Sequence, residues 1–227
     1  ILERFTPDKF PDCFKEYADL LTWDQTWHTT LDTSNAPFFR WFVGGRLNAS
    51  YNCVDRHAAA NPDKTAILFV PELESDEVVR ISYAELLRQV NEFAALLRDF
   101  CGLKTGDRVT LHMPMVPELP VTMLACARLG VIHSEVFGGF SGAAAGSRIA
   151  DSGSRVLITV DGYYRAGQMG DHKVKADEAL DVAAKEGQEV DKVLVWRRRP
   201  GQYASQTPMA DGRDFFVDEL LPQYAGQ

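Results

Sequence analysis

A chain of 227 residues, 45% of them hydrophobic, is long enough to bury one sizeable core, or a core with an accessory lobe, and falls in the soluble globular class. Its formal net charge of −8 argues against nonspecific nucleic-acid binding and against docking on an anionic membrane, so an anionic ligand has to be held by local donors. No segment approaches the roughly 18 continuous apolar residues of a membrane span, and the first residues lack a basic-then-apolar signal pattern, which makes the cytoplasm the expected compartment.

Residues 1–60 carry Trp23, Trp27 and Trp41 and are punctuated by Pro7, Pro11 and Pro37; they read as short helices and an extended arm laid over a larger body. After Pro62 the pattern changes. Ala66–Val70 is a predicted strand, Pro71–Glu77 an acidic loop and Val78–Ser82 a second strand, together a hairpin. Ser82 with Glu85 makes a capping box, and Leu86, Val90, Phe93 and Leu97 then recur at helical spacing until Gly102. From there strands and helices alternate: strand Arg108–His112, helix Glu118–Leu129, strand Ile132–Val136, helix Gly142–Ala150, strand Arg155–Val160, helix Asp177–Ala184 and strand Lys192–Trp196. Alternation of this kind predicts an α/β fold, a largely parallel sheet covered by helices on both faces.

Cys13, Cys53, Cys101 and Cys126 are scattered, lack Cys-x-x-Cys spacing and lie in or beside apolar stretches; buried free thiols fit better than disulfides or a zinc site. His57 and His133 have no nucleophile or metal-ligand partner at useful spacing and read as structural, and no other metal site is expected. Arg197-Arg198-Arg199 before Pro200 reads as a solvated strand exit.

The run from Val136 to Gln168 carries the most chemistry. It is a strand, helix, strand unit with a glycine turn at each strand exit, Phe137-Gly138-Gly139 after Val136 and Tyr164-Arg165-Ala166-Gly167 after Val156–Val160. Ligands of open parallel sheets dock at the carboxyl ends of strands, so two such turns close together mark a site. The guanidinium of Arg165 is a planar fork of donors suited to phosphate, and glycine lets backbone approach a ligand closely. Taken singly each turn has a plainer reading: Gly-Gly after a strand also makes a simple tight turn, and an arginine on a surface turn also serves solvation alone. Met113-Pro114-Met115-Val116-Pro117-Glu118 reads as a strand exit with proline opening the next helix.

Trp41 to Asn48, Tyr51 to His57, Met113 to Glu118, Met123 to Gly130 and the 137–168 run resemble, in the same order, the AMP-forming acetyl-CoA synthetases of the acyl-adenylate-forming superfamily. The likeness runs from Tyr17 to Val195 and thins toward Gln227. It implies the N-terminal part of the large domain of such an enzyme, with residues 1–60 as the arm and 61–227 as the first α/β part of the AMP-binding domain. It also implies a site: Arg165, Ala166, Gly167 and Gln168 at the 3′-phosphate of coenzyme A, with Phe137, Gly138 and Gly139 shaping the adenine pocket. Gln168 departs from the family, which carries a second arginine there; Lys173 or Lys175 is then the candidate to restore the charge. Asn52 and Asp55 are expected to serve local hydrogen bonds.

The family acts on acetate, ATP with Mg2+ and coenzyme A. Its Ser/Thr/Gly-rich phosphate loop ending in Pro-Lys-Gly and its C-terminal catalytic lysine do not occur in residues 1–227. The resemblance therefore places no catalytic residue in this stretch, which by itself is expected to form no acyl-adenylate and to self-associate through an unpaired sheet edge. A related synthetase acting on propionate or another short acid, and a noncatalytic nucleotide-binding module, stay open as alternatives.

Overall fold

The computed structural model describes residues 2–198 and 208–227, so Arg199 and Pro200 of the basic run lie outside the described residues. The leading segment forms short 3-10 turns, helix α1 (Lys15–Ala18) and an antiparallel hairpin of β1 (Thr29–Asp32) and β2 (Arg40–Val43). Aromatic rings hold it together, Trp23 against Trp27 at 4.9 Å between centroids and Phe14 against Trp41 at 5.1 Å. A π-helical turn at Tyr51–Asp55 then runs into α2 (Arg56–Ala60). Asn52 serves the local bond expected of it, donating to Asn48 O, and also exchanges hydrogen bonds with the backbone of Thr22, 30 residues earlier. Asp55 does not: its carboxylate accepts from the distant Arg128, whose guanidinium also donates to Asn91 at 2.6 Å and whose carbonyl accepts from Asn48.

β3 (Thr65–Phe69) and β4 (Val79–Ser82) pair antiparallel, as their sequence predicts. Ser82 caps α3 (Tyr83–Asp99), its Oγ accepting from Glu85 N at 3.2 Å, but the Glu85 carboxylate turns to Arg88 and Gln89, leaving the capping box half formed. The chain continues through β5 (Arg108–Met113), α4 (Glu118–Leu129), β6 (Ile132–Phe137), α5 (Gly142–Ser152) and β7 (Val156–Val160). After it come an antiparallel hairpin of β8 (Gly162–Arg165) and β9 (Gln168–Asp171), then α6 (Lys173–Lys185), β10 (Lys192–Trp196), β11 (Asp214–Phe216) and α7 (Val217–Leu220). The hairpin is a correction to the simple turn expected after Val160, and α6 begins at Lys173, ahead of the expected Asp177.

The central sheet has the order β11-β10-β7-β5-β6, every neighbour parallel. Alternation along the strands divides the core between its faces. Val109, Leu111, Ile158, Val160 and Leu194 pack with Leu86, Val90, Phe93 and Leu119 of α3 and α4, whereas Leu157, Val193 and Val195 pack with Ala145, Ile149, Ala179 and Ala183 of α5 and α6. On that second face β5 presents the buried polar Thr110 and His112; Thr110 Oγ1 donates to Ser154 Oγ at 2.9 Å. β6 closes the sheet as an edge, with Ile132 57% exposed.

All four cysteines are free; Cys101 and Cys126 are buried as expected, and burial pushes both thiols up to about 12, but Cys53 is exposed. Among the described residues no helix is long and apolar enough to cross a membrane, and no three His, Cys, Asp or Glu side chains gather to hold a metal ion.

Candidate functional site

The chain leaves neighbouring strands in opposite directions, from β5 into α4 on one face and from β6 into α5 on the other, which opens a crevice beyond their carboxyl ends. A cavity of about 600 Å³ occupies that place. Pro114 and Met115 line it from the β5 exit, Phe137 from the β6 exit, Tyr163 to Arg165 from β8, and the acidic loop through Glu72 and Asp76 forms the opposite wall.

The two expected turns meet there. Gly138 N donates to Met113 O at 3.1 Å, and a Cβ on Gly138 would lie 2.8 Å from Pro114 N, so only glycine lets the β6 exit approach the β5 exit. A Cβ on Gly139 would overlap the guanidinium of Arg165 and come within 2.5 Å of the Phe137 ring. Arg165 thus occupies the space that a side chain at 139 would take, with its guanidinium 5.6 Å from the Phe137 centroid. Ala166 (φ 51) and Gly167 (φ 73) are the two-residue tip of the hairpin, both in the left-handed region that tight hairpin turns of this kind require. Gln168 is the cross-strand partner of Arg165, on the same face of the hairpin. The Gly167 N–H donates to Glu72 Oε1 at 2.6 Å.

Charge at the site is unevenly used. Arg198 also lines the cavity but pairs with Glu118 at 2.5 Å and lies over Phe69, and Arg197 pairs with Asp218 and Glu219; neither is the solvated cation its sequence suggested. Lys173, a candidate to restore the charge missing at Gln168, is fully buried with Nζ at 2.5 Å from Asp177, 2.8 Å from Asp214 and 2.8 Å from Pro208 O. Its charge is spent inside the fold. Among the described residues Arg165 forms no ion pair, which leaves its guanidinium the available cation of the cavity wall.

Beneath the turns lies a buried cluster that sequence reasoning missed. His112 is the penultimate residue of β5 and His172 precedes α6, 60 residues later; their rings stand 4.4 Å apart and both are fully buried. His172 Nε2 donates to His112 O at 3.0 Å, and the same carbonyl accepts from Thr159 Oγ1 at 2.9 Å. Burial, each other's proximity and the nearby Lys175 push His112 down to about 3; burial, with a smaller push from Lys175, brings His172 to about 4. Both rings are neutral near pH 7. Tyr163 packs edge-on against His172 at 5.3 Å and donates its hydroxyl to Gly138 O at 3.1 Å. The hairpin base is fastened by Asp161, whose carbonyl accepts from His172 N and Lys173 N and whose Oδ1 accepts from Gly162 N and Arg198 N. Burial raises the Asp161 carboxyl, and those N–H groups oppose it. The sole sequence signal was a polar residue in a core position of a strand. His57, by contrast, packs on Tyr83 at 5.2 Å, and His133 Nδ1 is buried without a hydrogen-bond partner among the described residues.

Residues 54–215 match the family of AMP-binding enzymes, and residues 6–53 match the acetyl-coenzyme A synthetase N-terminus. The acetyl-coenzyme A synthetase of Chromobacterium violaceum is 48% identical over 203 residues, 89% of this chain and 30% of that protein. That of Methanothrix soehngenii is 43% identical over 208 residues, 91% of this chain and 29% of that protein. The 3-hydroxypropionyl-coenzyme A synthetase of Sulfurisphaera tokodaii is 43% identical over 215 residues, 94% of this chain and 31% of that protein. The chain thus spans 29–31% of the length of these relatives.

Proposed function

This chain belongs to the AMP-binding enzyme family, and from that premise we propose that it is the N-terminal part of an AMP-forming acetate–CoA ligase. Residues 1–60 serve as the arm and 61–227 as the first α/β part of the adenylate-forming domain. In the whole enzyme a carboxylate oxygen of acetate attacks the α-phosphorus of ATP, giving acetyl-adenylate and pyrophosphate; the thiol of coenzyme A then displaces AMP to give the thioester. A mixed anhydride turns a poor leaving group into a good one, and positioned cations stabilise the charge on the phosphates. The Mg2+ ion that accompanies ATP finds no cluster of three ligands among the described residues.

The part assigned to this chain is recognition of the coenzyme A nucleotide, by Arg165, Ala166, Gly167 and Gln168 with Phe137, Gly138 and Gly139. One observation carries that assignment: Arg165 forms no ion pair among the described residues and lies over the bare backbone of Gly139 on the cavity wall. A charged hydrogen bond is worth about 1.5–3 kcal/mol against roughly 1 for a neutral one, so Gln168 contributes less than an arginine would. Exposed Ile132 on the β6 edge supports the further reading that residues 1–227 alone self-associate.

The test uses the full-length protein that contains this chain. Arg165→Ala should raise the KM for coenzyme A about tenfold or more while acetate-dependent pyrophosphate exchange into ATP stays level, and Gln168→Arg should lower that KM or leave it unchanged. Unaltered coenzyme A dependence with weakened ATP use would overturn the assignment. Since a 3-hydroxypropionyl-coenzyme A synthetase matches as well as an acetate enzyme does, comparing acetate, propionate and 3-hydroxypropionate in the same exchange assay decides the acid.

A further inference from the structure

The hairpin that presents Arg165 has an open tip. A Cβ at Gly167 would meet nothing within 4 Å, and Arg165 and Ala166 are exposed. A long side chain on such a tip is ordered by what fixes the strand beneath it, because immobilising a freely rotating side chain on binding costs conformational entropy. Along β8, Tyr163 and Arg165 are two apart and so face the same side of the hairpin. Their targets are consecutive: the Tyr163 hydroxyl donates to the carbonyl of Gly138, and the Arg165 guanidinium covers Gly139. Tyr163 is in turn braced by the His172 ring, which hydrogen-bonds the end of β5 through His112 O. A continuous series of contacts therefore runs from the β5 exit through His172 and Tyr163 to the Phe-Gly-Gly turn, and Arg165 lies one step beyond it.

We infer that Tyr163 and His172 are positioning residues that hold the Arg165 hairpin in register with the Phe137-Gly138-Gly139 turn, so that the guanidinium is placed for an anionic phosphate before the ligand arrives. This rests on the reading of the turn as a coenzyme A phosphate site. Their hydrogen bonds go to Gly138 O and His112 O, so the role assigned to each is exerted through the placement of Arg165. The backbone pairing of Gly162 with Asp171 and of Tyr164 with Met169 is independent of the Tyr163 hydroxyl, so removing that oxygen loosens placement without dissolving the hairpin.

The experiment measures coenzyme A dependence of thioester formation and, separately, acetate-dependent pyrophosphate exchange, in the full-length protein. Tyr163→Phe keeps the ring and deletes the hydrogen bond; it should raise the KM for coenzyme A about fivefold and leave exchange level. His172→Leu should do the same or more, and His172→Gln, which keeps a donor near His112 O, should recover part of the loss. In an Arg165→Ala background Tyr163→Phe should have no further effect, because its route to the ligand is already gone. An equal additional loss in that background, or a uniform fall in exchange and thioester formation, would show a merely structural role and overturn the inference. A normal coenzyme A KM in Tyr163→Phe alongside a raised one in Arg165→Ala would overturn it too, leaving the site assignment intact. An unaffected Arg165→Ala enzyme would instead bring down the assignment and this inference with it.

Discussion

The two turns at the cavity mouth use glycine for opposite reasons. At Gly138 the reason is room: its missing side chain lets one strand exit rest on the backbone of another, and the peptide is bonded on both sides, to Met113 O and from the Tyr163 hydroxyl. At Gly167 it is handedness: a side chain there would meet nothing within 4 Å, but φ is +73°. The first turn belongs to the wall of the core and the second is a projecting tip. Identical letters in the sequence thus mark a packed seat and a projecting tip, and Arg165 reaches from the tip over Gly139 of the seat.

The largest expected effect tests the seat. Gly138→Ala puts a methyl against the backbone of Met113 and Pro114, which have little freedom to retreat, and should cost about 2–3 kcal/mol, read as a lowered denaturation midpoint in urea. Acid should loosen the ground under both turns. His112 and His172 titrate near 3 and 4 in the fold against an ordinary 6.5, so the unfolded chain binds the extra protons. Their stabilising contribution is complete above pH 6.5 and is lost as pH falls from there toward 3. Thermal melts across that window should drop more steeply for the native protein than for His172→Leu; equal slopes would contradict the buried neutral pair.

The smallest effects belong to the tip. Gly167→Ala meets no neighbour and should cost only about 1 kcal/mol of backbone strain, while Ala166→Gly should gain a few tenths to about 1 kcal/mol by relieving the strain at φ +51°. A Gly167→Ala penalty as large as that of Gly138→Ala would erase the distinction between the turns.

The parallel sheet was legible because its strands are apolar runs set between helices whose faces repeat at regular spacing, and the seat and Arg165 were legible because glycine after a strand in such a fold marks the carboxyl edge. The β8–β9 hairpin was not, since Arg-Ala-Gly-Gln puts alanine where Asn or Asp would have announced a left-handed turn. The fates of Arg197, Arg198 and Lys173 were hidden for another reason: the partners that neutralise them, Asp218, Glu118 and Asp214, are brought near only by the fold. The same holds for His112 and His172, which share one strand end from distant places in the chain.

Glu72 gives the tip a threshold. Its carboxylate already accepts the Gly167 N–H, so an anion arriving there competes with a resident one, and the outcome is set by the difference between two contacts. On the proposed reading, a phosphate monoester, with about −1.5 to −2 charges at neutral pH and three acceptor oxygens, would have to engage Arg165 and the Gly167 N–H together to displace Glu72. The same bond ties the Pro71–Glu77 loop to the hairpin, so the two walls of the cavity are joined at the tip.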